Sequence, residues 1–388
     1  MERKRYNVVM LNLQIVFQNS DINNLASCYK LSCYKALIGF LDEEAHGDIY
    51  YQNLEKVISA AKLGSPWKYL NTFFYSLLIF IADNGNKNTK VSYQALLFFL
   101  AFDSLFPYME DASRFIVELD QEYKILLPKT GVNLRLPKET RYIAKKGKNI
   151  ELILSDSTKI LHTIDDRYTS KSLQVLNFNE DEFLYKQFIN QYAQCELIGE
   201  KNFDDYISKL NIAINKIEAV DKGWVEILKN IEFVVPMKYV SHDTTKSFTI
   251  SGIPHLVFLS DCDKPIKLAE NLIHESLHDE LNMFMNYYEL TEQKNILYYS
   301  SWRDDPRPIR GLLHAIYVFT GIFSFYSQSL RTNNTFMQCD KDFMLFRYTS
   351  IYYELYLAYY QLEQVKIELS PLGSRFIETL NSIYTSSL

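Results

Sequence analysis

Two histidines four residues apart constrain this chain more than any other feature. In His274-Glu275-Ser276-Leu277-His278 the two imidazoles face one way only if the segment is helical, because positions i and i+4 lie one turn apart on one face. The surrounding pattern predicts such a helix from about 266 to 288, with Pro265 in its first turn, where a missing N–H costs nothing. A strand-like stretch precedes it, from Phe248-Thr249-Ile250 through Gly252 and Pro254 to Leu256-Val257-Phe258-Leu259-Ser260. The expected local architecture is therefore a strand, a short polar loop and a helix presenting two imidazoles to one point.

Paired imidazoles suit Zn, Fe, Cu or Ni. A catalytic centre with open positions needs a third ligand. His314 is the foremost candidate, near the start of an otherwise apolar helix predicted for Ile309–Leu330 with Pro308 as its first residue. Glu289 and Glu292 are the carboxylate alternatives, and His255, on the preceding strand, is a weaker one, expected to face solvent or a neighbour. Glu275 stands beside the first ligand, where hydrolases with this motif carry their general base. The loop Ser301–Gly311 adds Arg303, Arg307 and Arg310. Arg310 lies one turn before His314, a position suited to gripping a carboxylate at two points. Asp304 and Asp305 offer Arg303 and Arg307 the competing role of a structural knot.

The rest of the chain sets the frame. The fold class expected is mainly α with a smaller β part (α+β). It divides into a helical N-terminal region (1–117), a strand-rich segment (118–180) and a helical domain carrying the paired histidines (181–388). Residues 6 to about 112 show helical periodicity, interrupted by a loop at Asn84-Gly85-Asn86. Pro128, Gly131, Pro137 and Gly147 punctuate the strand-rich segment. A Tyr-rich helix over about 343–368 is expected to end before Pro371 and Gly373. Leu127-Pro128-Lys129-Thr130-Gly131 spells a cell-wall sorting signal but sits mid-chain, so it is read as coincidence.

A net charge of −6 argues against a grip on nucleic acid. The best apolar runs, Phe73–Ala82 and Leu312–Tyr326, read as buried helices rather than membrane spans. No signal peptide is legible at the N-terminus. The cysteines at 28, 33, 195, 262 and 339 lack zinc-ligand or redox spacing, as expected of reduced thiols in a cytoplasmic protein. The 29 tyrosines and 25 phenylalanines are read as the mark of an A/T-rich coding sequence rather than of an aromatic binding surface.

The span from about 250 to 330 resembles a known family. The resemblance rests on Val257-Phe258-Leu259-Ser260, on Leu272-Ile273-His274-Glu275-Ser276-Leu277-His278-Asp279-Glu280-Leu281-Asn282, and above all on Ser301-Trp302-Arg303-Asp304-Asp305-Pro306-Arg307-Pro308-Ile309-Arg310-Gly311-Leu312-Leu313-His314. These stretches are similar to the HExxH-motif peptide-modification proteins that accompany ribosomally made natural-product peptides. The resemblance implies an iron(II)- and 2-oxoglutarate-dependent oxygenase that uses O2 to hydroxylate the β-carbon of a side chain in a precursor peptide. His274 and His278 would hold the iron and His314 would complete the set, in place of the usual two-histidine, one-carboxylate triad. An arginine of the 303–310 loop would hold the far carboxylate of 2-oxoglutarate. Glu275 would orient a ligand or water rather than act as a base.

The main alternative is a zinc peptidase. The extended metzincin pattern fails here, with Leu281 where glycine is required and Phe284 where the third histidine would stand. A scaffold protein with a structural zinc ranks last, because it would need four ligands and three good candidates are present. The N-terminal half carries no readable motif and is left the task of binding the precursor's leader or shaping the substrate groove.

Overall fold

Runs of apolar residues decide the first elements of the chain. The computed structural model describes residues 49–388 apart from 62, 64, 66–69, 85–90, 112, 120, 165–168, 171–172, 179–181, 191–194, 239–245, 292–295, 333–335 and 365–368. The helical reading of residues 6–48, the Gly85-Asn86 loop, Cys28, Cys33 and Glu292 lie outside the described residues. The chain is mainly helical with a smaller β part, as expected. It divides into two compact units. One comprises Ala26–Ile207 and Glu232–Tyr239, and the other Met1–Leu25, Ser208–Ile231 and Val240–Leu388. The strand-rich segment thus shares a unit with the helices before it.

In the first of these units, α1 (Ile49–Ala60), α2 (Thr72–Asn84) and α3 (Val91–Leu105) precede the strands. Every residue from Ala95 to Leu105 is buried, the signature of a helix surrounded by protein. Phe98 and Phe102 of α3 meet Phe115 of β1 (Arg114–Ile116) edge-on, at 6.0 and 5.8 Å between centroids. β2 (Tyr123–Leu127) and β3 (Val132–Leu136) form a hairpin. β4 (Thr140–Lys146), β5 (Asn149–Leu154) and β6 (Lys159–Thr163) complete an antiparallel sheet in the order β1-β4-β5-β6. β7 (Thr169–Ser170) pairs antiparallel with β8 (Leu173–Val175), which pairs parallel with β9 (Phe233–Met237).

The letters of the sorting signal are the tip of the β2–β3 hairpin. Gly131 takes the left-handed conformation there, at φ 68°. Asp103 of α3 accepts the backbone N–H of Lys129 and of Thr130 at 2.6 and 2.9 Å, and the Thr130 hydroxyl at 2.8 Å. Burial nevertheless pushes the Asp103 carboxyl up to about 6.

Glu182 is a second buried anchor. It accepts backbone N–H groups from Leu126 (2.6 Å), Leu184 (3.0 Å) and Tyr185 (2.7 Å). Desolvation outweighs these three bonds and raises its pKa to about 7. A carboxyl raised on folding stabilises fully below its unfolded pKa, near 4.5, and that contribution is lost as pH climbs through about 7. The advantage of the native protein over Glu182→Gln should therefore be largest near pH 4–5. It should shrink by on the order of 2–3 kcal/mol toward pH 8, measured by urea denaturation of both proteins across that range.

The chain passes into the other unit along α4 (Glu200–Val220). α5 (Lys222–Leu228) follows, its N-cap Asp221 accepting Gly223 N–H at 2.6 Å. The stretch read as strand-like is a hairpin of two strands, β10 (Ser247–Ile250) and β11 (Ile253–Ser260), before α6 (Pro265–Met285), which opens on Pro265 as predicted. β12 (Leu297–Tyr298) pairs with β13 (Arg307–Pro308) and closes the arginine loop. α7 (Ile309–Arg331) begins one residue later than expected, because Pro308 belongs to β13 and serves as N-cap. α7 is the one described helix long and apolar enough to cross a membrane, yet 72 % of its apolar window is buried within the protein.

α8 (Gln338–Gln364) starts earlier than its apolar periodicity suggests. A last helix, α9 (Pro371–Ser386), follows where the sequence predicts only the end of the Tyr-rich helix, before Pro371 and Gly373. Ser370 and Pro371 start it as N-cap and first residue, and the Ser370 hydroxyl accepts Gly373 N–H at 3.0 Å.

Candidate metal centre

α6 buries Leu268, Ala269, Leu272, Ile273, Leu277 and Leu281, which leaves His274 and His278 only partly buried along one edge. α7 runs past that edge and brings His314 to it. The two helices approach closely at Gly321, where an added Cβ would stand 2.5 Å from Cδ1 of Leu277. Leu277 lies between the two motif histidines, so this glycine sets the helix spacing at the site itself.

The three imidazoles form a row. The rings of His274 and His278 meet edge-on at 4.7 Å, and those of His278 and His314 stack at 5.5 Å. His278 Nδ1 and His314 Nδ1 are 3.2 Å apart. Burial pushes all three down. His274 falls to about 4, helped by the charges of Arg347 and Arg303. His278 falls to about 3, helped by His274 and Arg303, and His314 to about 3, helped by His278 and Arg310. All three are neutral at pH 7, the form of imidazole that ligates metals.

The donor set fits an ion of the imidazole-binding class. Two nitrogens each ~2.0–2.1 Å from a shared tetrahedral metal lie roughly 3.3 Å apart, close to the separation of the His278 and His314 nitrogens. Among the described residues no group of three His, Cys, Asp or Glu side chains is already set around a single point. The His278–His314 pair supplies one edge of such a group, and His274 is its neighbour on α6.

Glu275 lies between His274 and the β10–β11 hairpin. It is buried and hydrogen-bonded to the Ser247 side chain, with Oε1 3.9 Å from His274 Nε2. Desolvation raises it to about 7. His255 does not face solvent. It is buried, with φ 66°, at the register shift of the hairpin. There its backbone N–H reaches Asp279 Oδ1 at 2.9 Å and its Nδ1 lies 3.5 Å from Asp279 Oδ2. That strained residue ties the strand to α6 and is no part of the histidine row. Glu289 is exposed beyond the end of α6, where its carbonyl accepts the Ser370 hydroxyl at 2.9 Å.

The three arginines separate. Arg307 pairs with Asp305 at 3.2 Å, the structural knot. Arg310 is exposed on the first turn of α7, its charge felt by His314. Arg303 lines a cavity of about 610 Å³ together with Trp302, Phe319, Arg347 and Glu354. Phe319 joins that cavity to the histidines, with its ring edge-on to His274 at 5.3 Å and stacked on Trp302 at 4.8 Å. Trp302 is fixed in turn by its Nε1–H, which donates to Glu354 at 2.8 Å.

A second set of partners was not expected from sequence. Glu270, one turn before His274, accepts Arg347 Nε at 3.1 Å and the Tyr326 hydroxyl at 2.7 Å. This charge-assisted knot links α6, α7 and α8 under the site. The signal for it was present, since Glu270, His274 and His278 recur every fourth residue on one face. Arg347 and Glu354 carry no such signal, being two charges in a distant Tyr-rich helix. Neither a family model nor a curated protein matches this chain.

Proposed function

We propose that this protein is a cytoplasmic iron(II)- and 2-oxoglutarate-dependent oxygenase that hydroxylates the β-carbon of a side chain in a ribosomally made precursor peptide. The observation that carries the reading furthest is the neutral pair His278 and His314, at ligand-edge spacing beside an arginine-lined cavity. His274, His278 and His314 would hold the iron, with His274 completing the set by rotation of its ring. Iron(II) held there would activate O2, one oxygen atom going to the hydroxylated carbon and the other to 2-oxoglutarate, which would lose CO2 and become succinate.

The chain's own residues do the remaining work. Arg303 is the side chain best suited to grip the far carboxylate of the keto acid, because it lines the cavity and its charge reaches both His274 and His278. Arg347 adds positive potential there while Glu270 holds it in place. Trp302 and Phe319 form an aromatic wall between the cavity and His274. Glu275 orients the motif helix through Ser247 and is not asked to take a proton.

The test is anaerobic titration of the metal-free protein with Fe(II) and 2-oxoglutarate. Chelation of the keto acid at an open iron site should give a visible band near ~500 nm. Arg303→Ala should weaken the 2-oxoglutarate dependence of that band roughly tenfold or more, as for loss of a charge-assisted pair, and Arg310→Ala should leave it nearly unchanged. Absence of the band with tight Zn(II) binding instead would return the site to a zinc peptidase.

A further inference from the structure

α8 carries an uncovered aromatic face. Leu345, Phe346, Tyr353, Tyr356, Leu357 and Tyr360 are each 46–67 % exposed. At 3.6 residues per turn all six fall within an arc of about 120° and run about 22 Å along the helix. Isolated exposed apolar residues need no explanation, but a continuous stripe does. The core face of the same helix, with Met344, Ile351 and Leu355, lies on the other side. Arg347 and Glu354, which line the cavity beside the histidines, point about 120° or more from the centre of the stripe. The stripe is therefore a surface separate from that cavity.

We infer that this face binds a second copy of the same chain, α8 against α8, antiparallel about a two-fold axis at Tyr353. The pattern of side chains is self-complementary about that position. Phe346 and Tyr360 each stand seven residues from Tyr353, so a two-fold axis there sets Phe346 of one copy opposite Tyr360 of the other. The same operation sets the small Thr349 and Ser350 of one copy opposite the large Leu357 and Tyr356 of the other, so large side chains meet gaps. This is what an interface using one patch twice requires. The two small residues also carry satisfied hydroxyls. Thr349 donates to the Leu345 carbonyl at 2.9 Å and Ser350 to that of Phe346 at 3.0 Å, so covering them orphans no polar group.

The area is of the right size. Six large side chains about half exposed offer roughly 600–700 Å² per chain, close to the roughly 800 Å² per partner of a standard interface. A seven-residue recurrence at 346, 353 and 360 is also the spacing at which two helices keep a shared seam.

Size-exclusion chromatography with light scattering on the full chain should give about twice the 45.6 kDa of one chain at micromolar concentration. Tyr353→Glu places two carboxylates on the axis and should return the protein to a single chain with an unchanged circular dichroism spectrum, since the residue is 60 % exposed. In a Cys339→Ser background, a short bismaleimide should join two Tyr353→Cys chains. It should not join Asp342→Cys chains, whose positions would be about 33 Å apart in the antiparallel arrangement. A single-chain mass at all concentrations, a dimer that survives Tyr353→Glu, or equal cross-linking at 342 and 353 would each overturn the inference. So would a monomer whose Tyr353→Glu variant loses affinity for a precursor peptide, which would make the stripe a substrate surface.

Discussion

His278→Ala is expected to weaken Fe(II) binding by at least a hundredfold and to bring turnover below detection. His278 is the middle ring of the three, 4.7 Å from His274 and 5.5 Å from His314 between centroids. Its Nδ1 is the atom that faces His314. Removing it leaves two imidazoles with no shared edge, so the loss exceeds the roughly 10–100-fold cost of disturbing a residue that merely supports a ligand. The measurement is Fe(II) titration by calorimetry under nitrogen, with turnover of a full-length precursor peptide alongside. Circular dichroism should be unchanged, because the α6–α7–α8 knot of Glu270, Tyr326 and Arg347 does not involve His278. A variant that binds Fe(II) as tightly as the parent would remove the histidine row from the function.

What was legible in the sequence follows from the range of the signals. Periodicity and proline placement are local, so α6, the extended character of the residues of β10 and β11, and the start of α7 near Pro308 were readable to within a residue or a few. The juxtaposition of His278 with His314 is a contact across 36 residues. It was reachable only because imidazoles on apolar helices are rare enough to be paired by chemistry. The separation of the three arginines was not readable, because a loop of 301–311 with two prolines and two aspartates admits several closures. Its geometry depends on Trp302 stacking on Phe319 and on the bond from Trp302 to Glu354, contacts with two different helices. The uniform amphipathic signal expected of a surface helix is also missing from α8. It is apolar on both its core face and its exposed stripe, so its pattern marks no single buried face.

The missed helix α9 carries the second large effect. Pro371 and Gly373 read as breakers, but proline is favoured in the first turn of a helix, and this glycine is there for space. A Cβ at Gly373 would stand 2.0 Å from the Leu290 carbonyl oxygen and 2.9 Å from its carbon. Those are backbone atoms of a buried residue, and the same carbonyl accepts Ser370 N–H at 3.0 Å. No rotamer change relieves the clash, so Gly373→Ala must move the start of α9 and break the Ser370 cap. α9 then loses its register over α7, where Phe376 meets Tyr317 at 5.8 Å and Tyr384 meets Phe323 at 5.4 Å. We expect a destabilisation of about 3–5 kcal/mol by urea denaturation, the range of an overpacked backbone contact combined with a lost cap. Gly199→Ala is the control, with nothing within 4 Å of its added Cβ, and should be close to neutral. Because α7 also carries His314, Gly373→Ala should weaken Fe(II) binding in the folded fraction as well. Equal stability of the two variants would mean that α9 does not brace the helix beneath the histidines.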